Sequence, residues 1–471
     1  MHFTKGKFYL IVLTWIFLFN QKYFSQEHNY WSNNFGAKST LLCGAAVSNY
    51  FDNGAIFYNP ATLCFKDSGY LSLSANLYEY ESLTRTNALG DGLSLSSSNF
   101  NFSPQIVSGN KKIGDKAELE FILMSKTDVQ FNQSLSFNKM YYDTLIFNAQ
   151  QSLYVGSYNL KKRVLDEWGG LSMSFKLSEK WGFGFGTFFS YRMYKYQMSM
   201  NASSIGTDTI YPSISKSDSA LTVNTNNLNL ILKSGIVYNG EKNNFGLTVT
   251  LPSIRLRGKG DLEYSIFFSG IYFIPVDVYI RRINVNTIYK YPGSIAVGYT
   301  RKYKRSKLHF TAEVFGRIDP YYTLKISDAT GISGSGNVSL GGEYVKGIKE
   351  GKRPIANLAI GYEKVLKGTL ELLMGFSTDF RNNTESADIS FLDYNFGNEA
   401  FNLFHYSLGV GFQHNKNNIA IGLAGSLGSR FVPSIADFQN PTVFSKFFGY
   451  NVYGNNYNTY KSIGIVVGLT Y

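Results

Sequence analysis

Apolar and polar residues alternate with period two from about residue 70 to the end of the chain. Leu71, Leu73, Ala75 and Leu77 alternate with Ser72, Ser74 and Asn76, and Leu171, Met173, Phe175 and Leu177 with Ser172, Ser174 and Lys176. Leu308, Phe310, Ala312 and Val314 do the same with His309, Thr311 and Glu313. A strand turns successive side chains to opposite faces, so each segment has one apolar face and one polar or small face. Turn-forming residues fall between these runs: Asn239, Gly240, Asn243 and Asn244 before 245–251, Asn415, Asn417 and Asn418 after 403–413, and Gly368 before 369–380. Each pattern reads as a β-hairpin. Longer connections are expected at 201–219, 381–402 and 430–458. Short turns alternating with long loops predict an all-β, transmembrane antiparallel β-barrel over residues 68–471, with about 14 to 16 candidate strands.

Composition fits that expectation. The 471 residues include 35 Tyr, 38 Phe and 45 Gly but 10 Pro, which suits strands and turns better than helices. Charged residues make up 17%, where a soluble sandwich would carry more charge on its outward faces. Aromatics near run ends (Trp168, Trp181, Tyr191, Tyr194 and Tyr196) are expected to form interfacial girdles. The last run, Ile463 to Tyr471, is an amphipathic strand ending on an aromatic. Bacterial outer-membrane barrels commonly close this way and are recognised there by the barrel-assembly machinery. The formal charge of +12 is scattered apart from Arg301, Lys302, Lys304, Arg305 and Lys307, which lie between two alternating runs and read as a solvated turn. Nucleic acid is therefore not an expected partner.

Two lysines, Lys5 and Lys7, precede an apolar stretch at 8–19. That is the pattern of a secretory signal peptide over residues 1–25, too short to span a bilayer as a helix. No other stretch approaches 18 uninterrupted apolar residues, which excludes a helical inner-membrane protein. The expected location is the outer membrane of a Gram-negative bacterium.

Residues 27–67 differ, being rich in small residues and lacking sustained alternation. They contain Gly36-Ala37, Cys43-Gly44-Ala45-Ala46 and Asp52-Asn53-Gly54, then Phe57-Tyr58-Asn59-Pro60-Ala61 shortly before the strand near Tyr70. This order resembles the N-terminus of the long-chain fatty-acid transporter family of outer-membrane proteins (the FadL/OmpP1/TodX group). A second match is Tyr291-Pro292-Gly293-Ser294-Ile295, resembling a proline-led strand in the second half of that family's barrel. Thr62 departs from the pattern, since Gly commonly follows the motif. The resemblance implies a 14-stranded barrel with residues 27–67 as a hatch inside it and Asn59, Pro60 and Ala61 as the hatch motif. It implies uptake of hydrophobic small molecules such as long-chain fatty acids: capture outside, hatch movement and lateral release into outer-membrane lipid. Within the same barrel family, relatives in Bacteroidetes shuttle or anchor proteins for type IX secretion, which is the alternative role. The Asn-, Lys-, Tyr- and Phe-rich composition is compatible with such a bacterium.

Lateral release needs a strand that fails to pair. Pro104 lies inside an early alternating run, and proline removes a ladder hydrogen bond, so it either marks a kink or opening there or simply ends a strand in a loop. The segment 264–274 is the most apolar after the signal, and Phe267, Phe268, Tyr272 and Phe273 are candidates for an apolar ligand lining, in a loop or in a strand covered on both faces. Arg255, Arg257, Arg281 and Arg282 are candidates either to pair with a bound carboxylate or to be solvated at the rim. No catalytic residue, metal site or cofactor is expected, because the chain has no G-x-S-x-G, H-E-x-x-H, C-x-x-C or phosphate-binding glycine-lysine loop. His309 and Glu313 are expected on one lumenal face, where polar residues are normal. Cys43 and Cys64 are read either as a disulfide or as two buried thiols.

Overall fold

The computed structural model describes residues 28–65, 71–114, 116–142, 151–206, 214–270, 276–325, 329–333, 336–340, 347–384, 390–391, 394–395, 400–414, 417–439 and 452–470. The expected signal peptide, Tyr272, Phe273 and Tyr471 lie outside the described residues. Two short helices, α1 (Ala37–Leu41) and α2 (Ala55–Tyr58), and a 3-10 turn (Pro60–Phe65) come first. Strands follow: β1 (Leu71–Arg85), β2 (Leu95–Ile113), β3 (Ala117–Tyr142), β4 (Gln151–Lys176), β5 (Trp181–Gly206), β6 (Ile214–Asn239) and β7 (Asn243–Thr250). Next come β8 (Ile254–Ser269), β9 (Val276–Asn286), β10 (Ser294–Lys302), β11 (Ser306–Phe315), β12 (Ile318–Lys325), β13 (Ala329–Ser333), β14 (Gly336–Leu340) and β15 (Gly347–Lys352). The last are β16 (Ile355–Lys367), β17 (Leu370–Asp379), β18 (Ser390–Phe391), β19 (Tyr394–Asn395), β20 (Leu403–His414), β21 (Asn417–Ser434) and β22 (Val452–Thr470).

The wall is a closed antiparallel barrel of 14 strands. Going round, β1 to β7 are followed by β10, β11, β16, β17, β20, β21 and β22, and β22 pairs back onto β1 through registers such as Ser72↔Thr470 and Thr84↔Thr459. Of the remaining strands, β8, β9, β13 and β14 extend this wall, while β12 with β15 and β18 with β19 form separate two-stranded sheets. β6 forks: its lower part pairs with β7 from Lys233↔Thr250, and its upper part with β8 from Leu230↔Ile254 to Lys216↔Ser269. The 201–219 stretch expected as a long loop is instead largely the top of the β5–β6 hairpin, paired as far as Ile205↔Ile214. Its mixed Ser, Asn and Ala content hides a strand whose outward face meets water rather than lipid.

Two zones of the wall differ in which face is apolar. On β5, Trp181, Phe185, Phe189 and Tyr191 point outward and are exposed, while Gly182, Gly184, Gly186 and Ser190 alternate with them and point inward. Ten residue steps tilted by about 40° rise about 25 Å, the height of a barrel's lipid-facing band. Ring contacts link this band along its lower edge, from Trp181 to Tyr238 (5.1 Å), Phe245 (6.4 Å), Tyr299 (5.1 Å) and Phe310 (6.4 Å). Above it, on the same strand and in the same phase, Tyr196, Met198, Met200 and Ala202 point inward and are buried, while Lys195 and Gln197 face out. They join Tyr154, Tyr158, Leu160, Leu221, Val223, Tyr264 and Ile266 in an apolar core inside the upper wall. The expected girdle residues divide accordingly: Trp181 and Tyr191 face out, Trp168 and Tyr196 face in, and Tyr194 is partly buried against that core.

The lower lumen is filled by residues 28–65, the expected hatch. Gly36 precedes α1 at φ 84°, a left-handed conformation that favours glycine, and a Cβ there would stand 2.0 Å from Asp52 Oδ1. Asp52 accepts hydrogen bonds from Ser39 N–H and Ser39 Oγ (3.0 Å each) and from Gly54 N–H (3.0 Å), so its carboxylate caps α1 from the next segment. The wall receives the hatch on glycines. A Cβ at Gly246 would stand 2.1 Å from the Val47 carbonyl oxygen, at Gly235 2.1 Å from Asn59 Oδ1, at Gly468 2.2 Å from Ala37 Cβ and at Gly375 2.5 Å from the Leu42 carbonyl carbon.

Candidate functional site

Asn59, Pro60 and Ala61 tie residues 28–65 to the wall. Asn59 is fully buried; its Nδ2 donates to the carbonyls of Val47 (2.8 Å) and, on β6, Ile236 (3.2 Å), and its Oδ1 accepts from Ala61 N–H (3.0 Å). Pro60, which has no N–H to leave unpaired, opens the 3-10 turn at this point. Thr62, the departure from the family pattern, donates its hydroxyl to the Asn59 carbonyl (2.9 Å) and so reinforces the same turn. A side chain at Gly184 would collide with this turn, a Cβ standing 2.6 Å from the Pro60 carbonyl carbon.

Above the motif lies a cavity of about 70 Å³ between the hatch and the inner faces of β3, β4, β5, β6 and β10. Four basic side chains line it, Lys126, Arg192, Lys233 and Lys352, against two acidic ones, Asp166 and Glu313. Each acid is held by neutral donors. Asp166 accepts from Trp168 Nε1 (3.0 Å), Ser190 Oγ (2.8 Å) and the Tyr291 hydroxyl, and Glu313 from Trp31 Nε1 (2.7 Å) and Ser294 Oγ (2.6 Å). The bases are held on carbonyls and rings. Lys126 donates to the Tyr30 carbonyl and Lys233 to the Phe57 carbonyl, with Lys233 Nζ 4.3 Å from the Phe57 ring centre. The Arg192 guanidinium sits 4.1 Å from the Tyr289 ring centre, and Lys352 bonds the Tyr289 hydroxyl (2.9 Å) and pairs with Glu350 (3.3 Å). The chamber is thus aromatic; with Lys352 already paired to Glu350, three bases remain in its lining against two acids.

Two irregularities of the wall make this chamber. On β3 the register slips between Ser125 and Thr127, an extra residue that turns Lys126 inward and reverses the phase, so that Phe121 and Leu123 face out below it and Asp128 and Gln130 above. Across the wall, β8 and β9 pair down to Lys259↔Asn286 and β7 and β10 resume at Thr250↔Ser294. The intervening 287–293 turns Tyr289 and Tyr291 into the lumen, and Arg255 bridges the crease through Nε to the Thr287 carbonyl (2.8 Å). The Tyr291-Pro292 match noticed in the sequence is part of this crease.

The β2–β3 ladder runs from Ile113↔Ala117 to Ile106↔Met124, at the level of the chamber. Higher up, contact between the two strands is by side chains, from Asn99 to the Gln130 carbonyl and from Asn132 N–H to Ser97 Oγ (3.1 Å). Pro104 lies two residues beyond the last ladder pair and is opposite Ala75 on β1, where the β1–β2 register also slips.

The other sequence candidates fall elsewhere. Phe267 and Phe268 belong to strand β8, not a loop, and Phe267 is registered with Asp218 and Asp277. On the same strand Tyr264 and Ile266 belong to the upper-wall core. Arg257 and Arg281 are exposed, away from the chamber. Cys43 and Cys64 are both free thiols. His309 bonds Thr300 Oγ1 (2.8 Å) and faces Glu363 (3.7 Å), so it is not a partner of Glu313. Lys126, Arg192, Lys233 and Lys352 were missed. The first three are basic residues in the small or polar phase of an alternating run, which is the signal that was there to follow; Lys352 lies in β15, outside any such run.

No protein-family model and no curated protein sequence matches this chain. Solved structures do. A FadL homologue from Pseudomonas aeruginosa aligns with a TM-score of 0.57 at 13% identity over 94% of this chain and 99% of that chain. The toluene transporter TodX of Pseudomonas putida gives 0.55 at 15%, covering 93% and 98%, and the CymD monoaromatic hydrocarbon channel 0.51 at 10%, covering 93% and 97%. At such identities the likeness is one of architecture. This chain has the FadL-type fold, a closed barrel of 14 antiparallel strands.

Proposed function

We propose that this protein takes up hydrophobic small molecules bearing an acid group, long-chain fatty acids being the leading case. The observation that carries the reading is the chamber: aromatic walls with Lys126, Arg192 and Lys233 facing only two acids, Lys352 being paired with Glu350. A carboxylate there meets charge-assisted donors, while the tail gains by leaving water. In this reading the ligand is captured outside, its headgroup is held at Arg192, Lys233 and Lys126, and it leaves sideways between β2 and β3 above Ile106↔Met124. Pro104 supports that exit by removing one N–H from β2 where the ladder stops. The segment 28–35 is the part of the hatch that shifts, while Asn59, Pro60 and Ala61 keep the rest seated.

The test is uptake of radiolabelled oleate by cells of a host deleted for its own fatty-acid channel. Expression of this chain is expected to restore uptake, and Arg192→Ala with Lys233→Ala to reduce it about tenfold or more at unchanged surface level. Restoration of toluene but not oleate entry would overturn the acid-bearing substrate. No entry of either, with a stoichiometric protein partner co-purifying, would favour the secretion-associated role.

A further inference from the structure

The outward face immediately above the lipid-facing band carries cations that the transport reading does not use. Lys161 and Arg163 on β4 and Lys195 on β5 are exposed, in phase with Phe189 and Tyr191 below. Arg163 and Lys195 are directly opposite in the β4–β5 register, a like-charge pairing that destabilises a sheet unless something neutralises it. Lys161 lies on the same face one outward position higher. Neutral donors frame the three: Gln130 and Asn132 on β3 are opposite Arg163 and Lys161, Gln197 is opposite Lys161, and Asn224 is opposite Lys195. Leu165 and Met193, a paired couple, lie one step below, at the upper margin of the apolar band. Asp128 faces the patch from that lower row, opposite Leu165. None of the three cations forms an ion pair among the described residues, whereas the wall lysines Lys176 and Lys216 do. Further round, the carboxylates of Asp261 and Glu263 accept from Asn284 N–H (2.8 Å) and the Tyr279 hydroxyl (2.8 Å).

We infer that Lys161, Arg163 and Lys195 bind the phosphate of an acylated phosphosugar in the outer leaflet, the lipid A end of lipopolysaccharide. The register supplies the geometry. The cations are about 5 Å apart across the strands and about 7 Å along one of them, so a single phosphate reaches all three while its acyl chains lie along Leu165, Met193, Tyr191 and Phe189. The amides around them suit the sugar hydroxyls. An oppositely charged group between Arg163 and Lys195 also removes the repulsion of the bare register. This inference needs residence in the outer membrane and not any particular transported molecule.

The experiment uses full-length protein, stripped of lipid in detergent and offered diphosphoryl lipid A, dephosphorylated lipid A or phosphatidylglycerol, with retention read by native mass spectrometry. Wild type is expected to keep diphosphoryl lipid A about tenfold more tightly than either other lipid, with the preference falling as salt is raised. The triple variant Lys161→Gln, Arg163→Gln, Lys195→Gln is expected to lose that preference while keeping the heat-modifiable gel mobility of a folded barrel. Equal retention of the dephosphorylated lipid or of phosphatidylglycerol by wild type would overturn the site. So would an unchanged preference in a folded triple variant. If the variant does not fold, the three-lipid comparison on wild type decides.

Discussion

On β4 and β5 the lower and upper zones of the wall are one strand in one phase, yet they are inside out relative to each other. On β4, Leu171 faces outward in the apolar band while Ser172 and Ser174 face inward; higher on that strand Tyr154, Tyr158 and Leu160 face inward while Asn159 and Lys161 face outward. Alternation therefore fixes that a strand has two faces, and the medium on each side fixes which one is apolar. The contents of the two lumens differ for the same reason. Polar and glycine positions in the lower zone receive a hatch through its backbone, whereas the upper zone fills itself with its own side chains.

The most severe way to break this contrast is to charge both faces at both levels. Phe185→Lys, outward at mid-band, is expected to cost about 2–4 kcal/mol in unfolding from lipid vesicles. Met198→Lys, inward in the upper zone, is expected to cost a similar amount or more through an unpaired buried charge. Asn159→Lys, outward in the upper zone, is expected to fall within about 0.5 kcal/mol of wild type. Equal costs for Phe185→Lys and Asn159→Lys would show that the upper wall also faces lipid.

Next is the seat of the hatch. Gly235→Val puts its Cβ where Asn59 Oδ1 stands, and it is expected to unseat residues 28–65 and raise ion conductance in planar bilayers. Gly368→Ala, in a turn at φ 59° with open space around it, is expected to cost about 1 kcal/mol and leave conductance unchanged. Asn59→Ala removes two donated bonds and one accepted bond and leaves buried carbonyls unpaired, a loss of about 2–3 kcal/mol read as faster proteolysis of the hatch. Proteolysis no faster than wild type would mean that the glycine contacts alone hold it.

The smallest expected effect concerns the thiols. Burial pushes both Cys43 and Cys64 up to about 12, so at pH 8 the reactive thiolate is on the order of one part in ten thousand. Alkylation of the folded protein is expected to be negligible at both and complete on unfolding. Selective labelling of Cys64 at pH 8 would show that the 3-10 turn opens in the folded barrel.

Much of this was legible beforehand. Alternation and turn residues such as Asn239-Gly240 marked hairpins, because those signals are local. The segment around Asn59-Pro60-Ala61 stood apart because it forms short helices and a 3-10 turn, with no strand in which to alternate. What escaped notice depended on context. The tall β5–β6 hairpin reads as loop because water outside and a core inside invert the expected hydropathy. The chamber bases are scattered from Lys126 to Lys352, and the bulge at Lys126 reverses the phase of β3 above it, which period-two counting does not show.

The central claim is that the chamber recognises an acid headgroup on a hydrophobic molecule. The most direct measurement is calorimetric binding of oleate and of oleyl alcohol, which share a tail, to purified protein in detergent. Oleate is expected to bind at least about tenfold more tightly, with the difference abolished by Arg192→Met and Lys233→Met together. Equal affinity for the acid and the alcohol in wild type would contradict the account.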